Sequence, residues 1–276
     1  MVCGENKKKV KVYYNPKAGS GRAAQVYEQV QELLRTSGDG ENGSPFGADD
    51  YIVIGGDGTF NTLLNELPAP EKHRYILLPA GTSNSLCSQL SPDEDAMTKL
   101  QRALVQPVFR MLDLPQIEAD GRTLRFINEA SAGFAAAIAR EIEKRETKRF
   151  FNRLHLNESA YIATAFRCWR TDMPYFLSLC NNRRISGDLY PCVNANPGDG
   201  KIDVYELACP RLRLPFELTR LVRATADKPS DYVTRRQVAA AEWDFDTPLP
   251  AEIDGNPLPP VQHLKLSLYP ERIAVC

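Results

Sequence analysis

The sequence predicts an α/β domain built on a parallel sheet, followed by a second domain that is a mostly antiparallel β-sandwich. Three observations carry this. Up to about Pro115, short unbroken apolar runs alternate with stretches of helical periodicity, the pattern of βαβ units and right-handed crossovers. Beyond about Ile117 the chain reads mainly as short strands between turn signals, with no crossover helices between them. At 276 residues it is long enough for two domains with real cores. The expected division is 1–115 and 116–276, the last strands returning toward the cleft.

Taken in order, Val10 to Tyr14 reads as a strand. Ala23 to Arg35, with Val26, Val30, Leu33 and Leu34 at helical spacing, reads as a helix. Thr36 to Asp50, rich in Gly, Ser, Asn, Pro and Asp, is a loop. Tyr51 to Ile54 and Tyr75 to Leu78 are short apolar runs of the kind buried on both faces of a parallel sheet. Thr59 to Leu67 is a short helix between them. Leu86 and Leu90 mark another, interrupted by Pro92, and Asp93 to Leu104 a further one. In the second half, a helical region lies between Ala130 and Cys168. Strands are expected at Tyr175 to Cys180, Lys201 to Leu207, Gln237 to Phe245 and Leu264 to Tyr269.

Composition narrows the function classes. With 43% hydrophobic and 25% charged residues the chain is of ordinary globular type. Its 34 Lys and Arg balance 35 Asp and Glu, which argues against a dedicated nucleic-acid binder. No window reaches ~18 consecutive apolar residues, and the polar, lysine-rich stretch from Met1 to Lys11 does not resemble a signal peptide. Cys3, Cys87, Cys168, Cys180, Cys192, Cys209 and Cys276 form no CxxC pair, and His73, His155 and His263 are remote from one another. Reduced cytoplasmic thiols are expected in place of disulfides or a zinc site.

The chemistry lies in three glycine-rich turns, each between an apolar strand and a helix. They are Asn15-Pro-Lys-Ala-Gly-Ser-Gly-Arg22, Gly55-Gly-Asp-Gly-Thr59 and Pro79-Ala-Gly-Thr-Ser-Asn-Ser85. In an open parallel sheet, ligands bind at the carboxyl ends of the strands. There glycines let backbone N–H groups approach phosphate oxygens, and helix N-termini add positive dipole ends. Three such turns on one edge make a site for a polyphosphate. No GxxxxGK[ST] loop is present, and Gly19 to Ala24 matches a GxGxxA dinucleotide fingerprint only loosely. The second turn is the specific one, because it sets the carboxylate of Asp57 among glycines beside a hydroxyl. The competing structural role for Asp57 is a helix N-cap.

These turns resemble those of the diacylglycerol kinase, sphingosine kinase and ceramide kinase superfamily, whose GGDG turn is shared with NAD kinases. The likeness continues through Leu112-Asp113-Leu114, through Asn128 to Phe134, which is similar to an NxxxxGF segment, and through Asp199 to Val204, similar to DGxLDV. Asp254-Gly255-Asn256 resembles the late DGE. The resemblance implies an NAD-kinase-like nucleotide-binding domain, a β-rich lipid-binding domain, and an ATP- and Mg²⁺-dependent lipid kinase. Its nucleotide-binding residues would be Asn15, Pro16, Gly19, Ser20, Gly21, Arg22, Gly55, Gly56, Gly58, Thr59, Gly81, Thr82, Ser83 and Asn84. Asp57 would be essential, either on Mg²⁺ or as acceptor of the substrate hydroxyl's proton. Asp254 would be the other candidate base. Asp199 would hold a metal or a turn, and Asp113 would join an acidic network. The third turn reads GTSNS, which is closer to the sphingosine kinase branch, and Ser85 and Asn256 stand where relatives carry acids. The alternatives are an NAD-kinase-like or dinucleotide-binding protein and a catalytically inactive relative.

The stretch from Arg140 to Arg153 is rich in Arg and Lys, with Phe150 and Phe151 adjacent. It reads either as a solvated helix face or as a docking surface for anionic membrane, through Arg149, Phe150 and Phe151. The implied protein is cytoplasmic and peripherally membrane-associated, with a membrane lipid as its substrate. Trp169 and Trp243 are expected to be core residues.

Overall fold

A computed structural model describes residues 2–5, 10–36, 45–82, 84–92, 94–134, 136–137, 175–185, 189–210 and 212–276. The chain divides into two units, residues 1–114 together with 270–276, and residues 115–269. The sequence had placed residues 270–276 in the second domain.

The first unit is built on a six-stranded sheet. Its strands are β1 (Val2–Glu5), β2 (Lys11–Tyr14), β3 (Asp50–Gly55), β4 (Arg74–Pro79), β5 (Arg110–Leu112) and β14 (Ile273–Val275), in the order β1-β2-β3-β4-β14-β5. β2, β3 and β4 run parallel, with Val12 beside Ile52 and Ile52 beside Ile76. All six residues of β3 are buried, as a central strand covered on both faces requires. β1 is an antiparallel edge strand on β2, absent from the sequence reading because backbone pairing alone, without an apolar pattern, places it. β14 pairs parallel with β4 and antiparallel with β5.

Helix α1 (Arg22–Thr36) turns Ala23, Val26, Val30 and Leu34 inward. Helix α4 (Ala96–Val105) buries Ala96, Leu100 and Ala103, and Asp95 caps it by accepting from Met97 N and Thr98 N. Together with Ile52, Ile54, Ile76 and Leu78 these residues form one core. Each buried aliphatic side chain contributes about 1.5–3 kcal/mol. Two shorter helices, α2 (Asp57–Glu66) and α3 (Ser85–Leu90), follow β3 and β4.

The second unit is an eight-stranded antiparallel sheet. It comprises β6 (Pro115–Ala119), β7 (Arg122–Arg125), β8 (Glu129–Gly133), β9 (Tyr175–Cys180), β10 (Ile202–Ala208), β11 (Val233–Val238), β12 (Ala240–Ile253) and β13 (Asn256–Leu268), in the order β11-β10-β9-β8-β12-β13-β6-β7. Ile117 of β6 and Leu266 of β13 share an inner core with Leu177 of β9 and Val204 of β10. Both halves of the sheet therefore curve over the same apolar interior. Trp243 is buried in that core, while Trp169 lies outside the described residues. Asp120-Gly121 and Asp254-Gly255 are two-residue hairpin turns, all four at positive φ, the conformation that Asp-Gly favours.

Two elements differ from the sequence reading. Helix α5 (Leu214–Val222) stands where only strands were expected, and carries a proline within its first two positions. Pro215 reads as a breaker but needs no helical N–H there. The β12/β13 hairpin is far longer than the strands expected at Gln237 to Phe245 and Leu264 to Tyr269. Its register shifts fall between Asp244 and Leu249 and between Leu249 and Ala251. Pro248 and Pro250 occupy those shifts, where a missing ladder donor is tolerated.

Candidate functional site

The three glycine-rich turns follow β2, β3 and β4, which are neighbours in the sheet and parallel. All three therefore emerge at one edge. In the first turn Asn15 accepts from Lys17 N through Oδ1 at 3.1 Å, and its carbonyl accepts from Ala18 N at 2.9 Å. Gly19, Ser20 and Gly21 follow at φ of 57°, 58° and 96°. A Cβ on Gly19 would run into the carbonyl oxygen of Ala80. Arg22, the first residue of α1, donates from its guanidinium to the Gly81 carbonyl. The first turn is thus bound to the third.

The second turn is bound to the third as well. Ala80 N donates to the Gly55 carbonyl at 2.9 Å. A Cβ on Gly81 would overlap Gly56 Cα, and a Cβ on Gly55 would collide with the buried side chain of Thr59. Glycine is therefore needed at Gly81 for a close backbone approach. Gly81→Ala is expected to lower the unfolding free energy by about 1–3 kcal/mol, as an overpacked contact does. It should weaken ATP binding with it; urea unfolding and a nucleotide titration check the two effects.

Asp57 occupies the first position of α2, and Gly56 before it provides no side-chain cap. Its carboxylate turns to the third turn, where Oδ2 accepts from Ser85 N at 2.8 Å and Oδ1 from Leu86 N at 3.1 Å. Asp57 is thus a cap, but for α3 and not for its own helix. Asn84 sits at φ 50° just before α3. Its Oδ1 accepts from Gly81 N at 2.9 Å and its Nδ2 donates to Gly81 O at 3.1 Å.

This changes the roles expected of the turns. The amides of Gly81, Ser85 and Leu86 are engaged inside the protein by Asn84 and Asp57, so Asn84 braces the third turn with the side chain expected to face phosphate. No side chain caps the start of α2, at Gly56-Asp57-Gly58. An uncapped N-terminus with a positive dipole end suits an anionic group. Pro16, Ser20, Arg22 and Thr82 are exposed around these turns, and Gly58 is partly so. Ser83 lies outside the described residues. Beside Arg22, Pro79 and Asn84 a cavity of about 440 Å³ opens, with Cys87, Ser88 and Met97 on its further wall. Burial pushes the Cys87 thiol up to about 12, which keeps it un-ionised there.

The remaining expected residues divide between the units. Asp113, in the first unit, is 7% exposed and accepts from Arg272 Nε at 2.7 Å. That partner is a cation carried by the returning C-terminal segment. In the second unit Asp254 accepts from Ile127 N and Asn128 N at 2.8 Å each and from Glu129 N at 3.1 Å. The residue expected to be a base therefore clamps the start of β8. Asp199 is exposed and accepts from Lys201 N at 3.0 Å. Of the metal and turn roles expected for Asp199, the structure shows the turn. Among the described residues no group of three or more His, Cys, Asp or Glu could hold a metal. Arg149, Phe150 and Phe151 lie outside the described residues.

Sequence reasoning missed Arg272, Glu129 and Glu252, and part of the role of Arg22. Arg22 was expected to bind nucleotide, but its bond to Gly81 was not foreseen. Arg272 carried no motif signal. Glu129 and Glu252, both buried, carried no signal of their own in the sequence.

Residues 46–117, which include the second and third turns, match the family model of the diacylglycerol kinase catalytic domain. No curated protein matches the sequence. Among solved structures, a diacylglycerol kinase from Bacillus anthracis str. Sterne matches with a TM-score of 0.61 at 15% identity, over 98% of this chain and 97% of that one. A second structure from the same organism gives 0.61 at 15% identity over 99% and 98% of the two chains. A third gives 0.60 at 15% over 98% of each. At that identity the structural likeness speaks for the fold, an α/β unit joined to an antiparallel one. The family match falls on the segment that holds Asp57 and the two turns it joins, so residues 46–117 are similar to the catalytic domain of diacylglycerol kinases.

Proposed function

We propose that the chain transfers the γ-phosphate of ATP to the hydroxyl of a membrane lipid, of diacylglycerol or of sphingoid or ceramide type. The observation that carries this reading is the backbone-to-backbone meeting of the three turns, with Gly19 against Ala80 and Gly56 against Gly81. A site for a polyphosphate needs backbone at close range and no side chains in between. The uncapped start of α2 would face the phosphates, and Arg22 would hold the first and third turns in register. Similarity to a kinase family implies ATP and usually a divalent metal. Asp57 is the acid of the three turns that would hold the metal. The metal would supply charge neutralisation on the phosphate oxygens. If Asp57 does not hold the metal, it would accept the proton of the lipid hydroxyl as the new P–O bond forms and the bond to the departing ADP breaks. The GTSNS sequence of the third turn favours a sphingoid or ceramide acceptor.

No helix among the described residues is long and apolar enough to cross a membrane. Contact with an anionic membrane would run through Arg149, Phe150 and Phe151, a reading supported by the sequence alone. Incubation with labelled ATP, Mg²⁺ and a total lipid extract, and separately with NAD, tests the proposal. Label in lipid is expected. Label in NAD alone, or in neither, overturns it in favour of an NAD-kinase-like enzyme or of an inactive relative.

A further inference from the structure

The second unit contains two buried acids, Glu129 and Glu252, to which the proposed reaction assigns no part. Strand alternation puts Glu129 and Ser131 on one face of β8, while Ala130 and Ala132 on the other face join the inner core. Directly opposite Glu129 and Ser131 on β9 stand Cys180 and Ser178. Glu252 of β12 is also paired with Ser131. Cys180 belongs to an apolar cluster with Phe134, Phe176 and Leu207, which covers this polar row. Glu129 is 6% exposed and Glu252 4%.

The two carboxyls have different surroundings. Glu252 accepts from Ser131 Oγ at 2.8 Å and from Gly255 N at 2.6 Å. Glu129 Oε2 has no hydrogen-bond partner among the described residues, and Glu252, opposite Ser131, stands on the same face of the sheet one diagonal step away. Ionised carboxylates only accept hydrogen bonds, so two of them in contact away from water repel. One proton converts the contact into a donor and an acceptor.

We propose that Glu129 is a positioning residue that shares one proton with Glu252 and thereby fixes the turn carrying Asp254. The turn is tied to this pair on both sides. Gly255 donates to Glu252, and Asp254 N donates to the Glu129 carbonyl at 2.9 Å. The Asp254 carboxylate in turn holds the amides of residues 127 to 129. The titratable groups facing Glu129 are Cys180 from β9, Glu252 from β12 and Asp254 from the turn. Burial first, then the Glu252 charge, then Cys180 and Asp254, push its carboxyl well above the usual carboxylate range. The inference concerns the second unit's own geometry and holds whichever acceptor the enzyme uses.

A group whose pKa is raised on folding stabilises the fold at low pH, and that contribution is lost as pH rises through the folded value. The full chain and its Glu129→Gln variant are unfolded in urea from about pH 5 to about pH 9. Glutamine keeps a neutral donor toward Glu252 at every pH. Between the unfolded glutamate value of about 4.3 and the raised folded pKa of Glu129, the unfolding constant of the wild type should therefore rise relative to E129Q by about tenfold per pH unit, and level off above the folded value. A residue that only fills space would shift both curves in parallel, and parallel curves overturn the proposal. An infrared spectrum of the wild type provides a second readout should E129Q fail to fold. A protonated carboxylic acid band at neutral pH is expected, fading at high pH as the amides of Ile127, Asn128 and Glu129 begin to exchange faster. Absence of that band overturns the proposal too.

Discussion

Asp57→Asn is expected to lower lipid phosphorylation by roughly three powers of ten, the size of effect that removal of a positioned proton acceptor has in other enzymes. It should cost stability as well. Asp57 accepts two backbone amides, from Ser85 and Leu86, and asparagine has only one acceptor oxygen to offer them. Its NH₂ group would face an N–H, and one donor at the start of α3 would lose its partner, at about 1–2 kcal/mol. Asp95→Ala gives the yardstick for that component, since Asp95 likewise accepts two backbone amides at the start of a helix, through Oδ1 alone and in an exposed position. The comparison separates the two roles of Asp57. If D57N loses stability like D95A but phosphorylates lipid within about tenfold of the wild-type rate, Asp57 is a bracket for the third turn and the proton acceptor lies elsewhere. If the thousandfold loss appears with a melting curve no worse than that of D95A, the bracket and the chemistry share one carboxylate.

That double role shows what a sequence discloses and what it conceals. The glycines of the three turns were legible because each answers a local demand. Gly19 and Gly21 take positive φ, and Gly56 and Gly81 leave room for a neighbouring backbone. Residues that form no other element would not concentrate glycine without such a reason. β3 and β4 were legible for the complementary reason, an unbroken apolar run. The partners of Asp57 were not legible. They lie some 28 residues away, and only the parallel pairing of β3 with β4 brings Ser85 to it. The pairing of Glu129 with Glu252 was hidden in the same way. A glutamate in a strand normally points to water, and these point inward because of the register between β8, β9 and β12. Helix α5 and the long β12/β13 hairpin were obscured by prolines at positions where proline happens to do no harm. Punctuation is a local signal, and its cost depends on which hydrogen bonds the fold asks of that position.

The least legible element is the three-residue strand β14, and its removal should have the largest structural effect in the protein. Deleting residues 270–276 is expected to leave the first unit without a cooperative unfolding transition. In the sheet order β1-β2-β3-β4-β14-β5, β14 is the only link between β4 and β5, so its loss turns β4 into an open edge and detaches β5. Ile273 and Val275 are 1% and 0% exposed, and burial of two such side chains contributes about 3–6 kcal/mol. The deletion also removes the acceptor for Leu77 N, the donor to Tyr75 O and the Arg272 partner of the buried Asp113. Against a typical domain stability of about 5–15 kcal/mol, these losses together consume most or all of what holds the unit. Hydrogen exchange at Tyr75 to Leu78 reads the result directly, since those amides should lose protection while those of β9 and β10 in the second unit keep theirs. Val275→Ala is the milder test, expected to cost about 1–3 kcal/mol without unfolding the sheet. Wild-type protection of β4 in the deletion protein would mean that β2, β3 and β4 form a self-sufficient core. Its loss would mean that the glycine-turn site, which hangs from the carboxyl ends of those same strands, cannot assemble until the chain has passed through the whole second unit and returned.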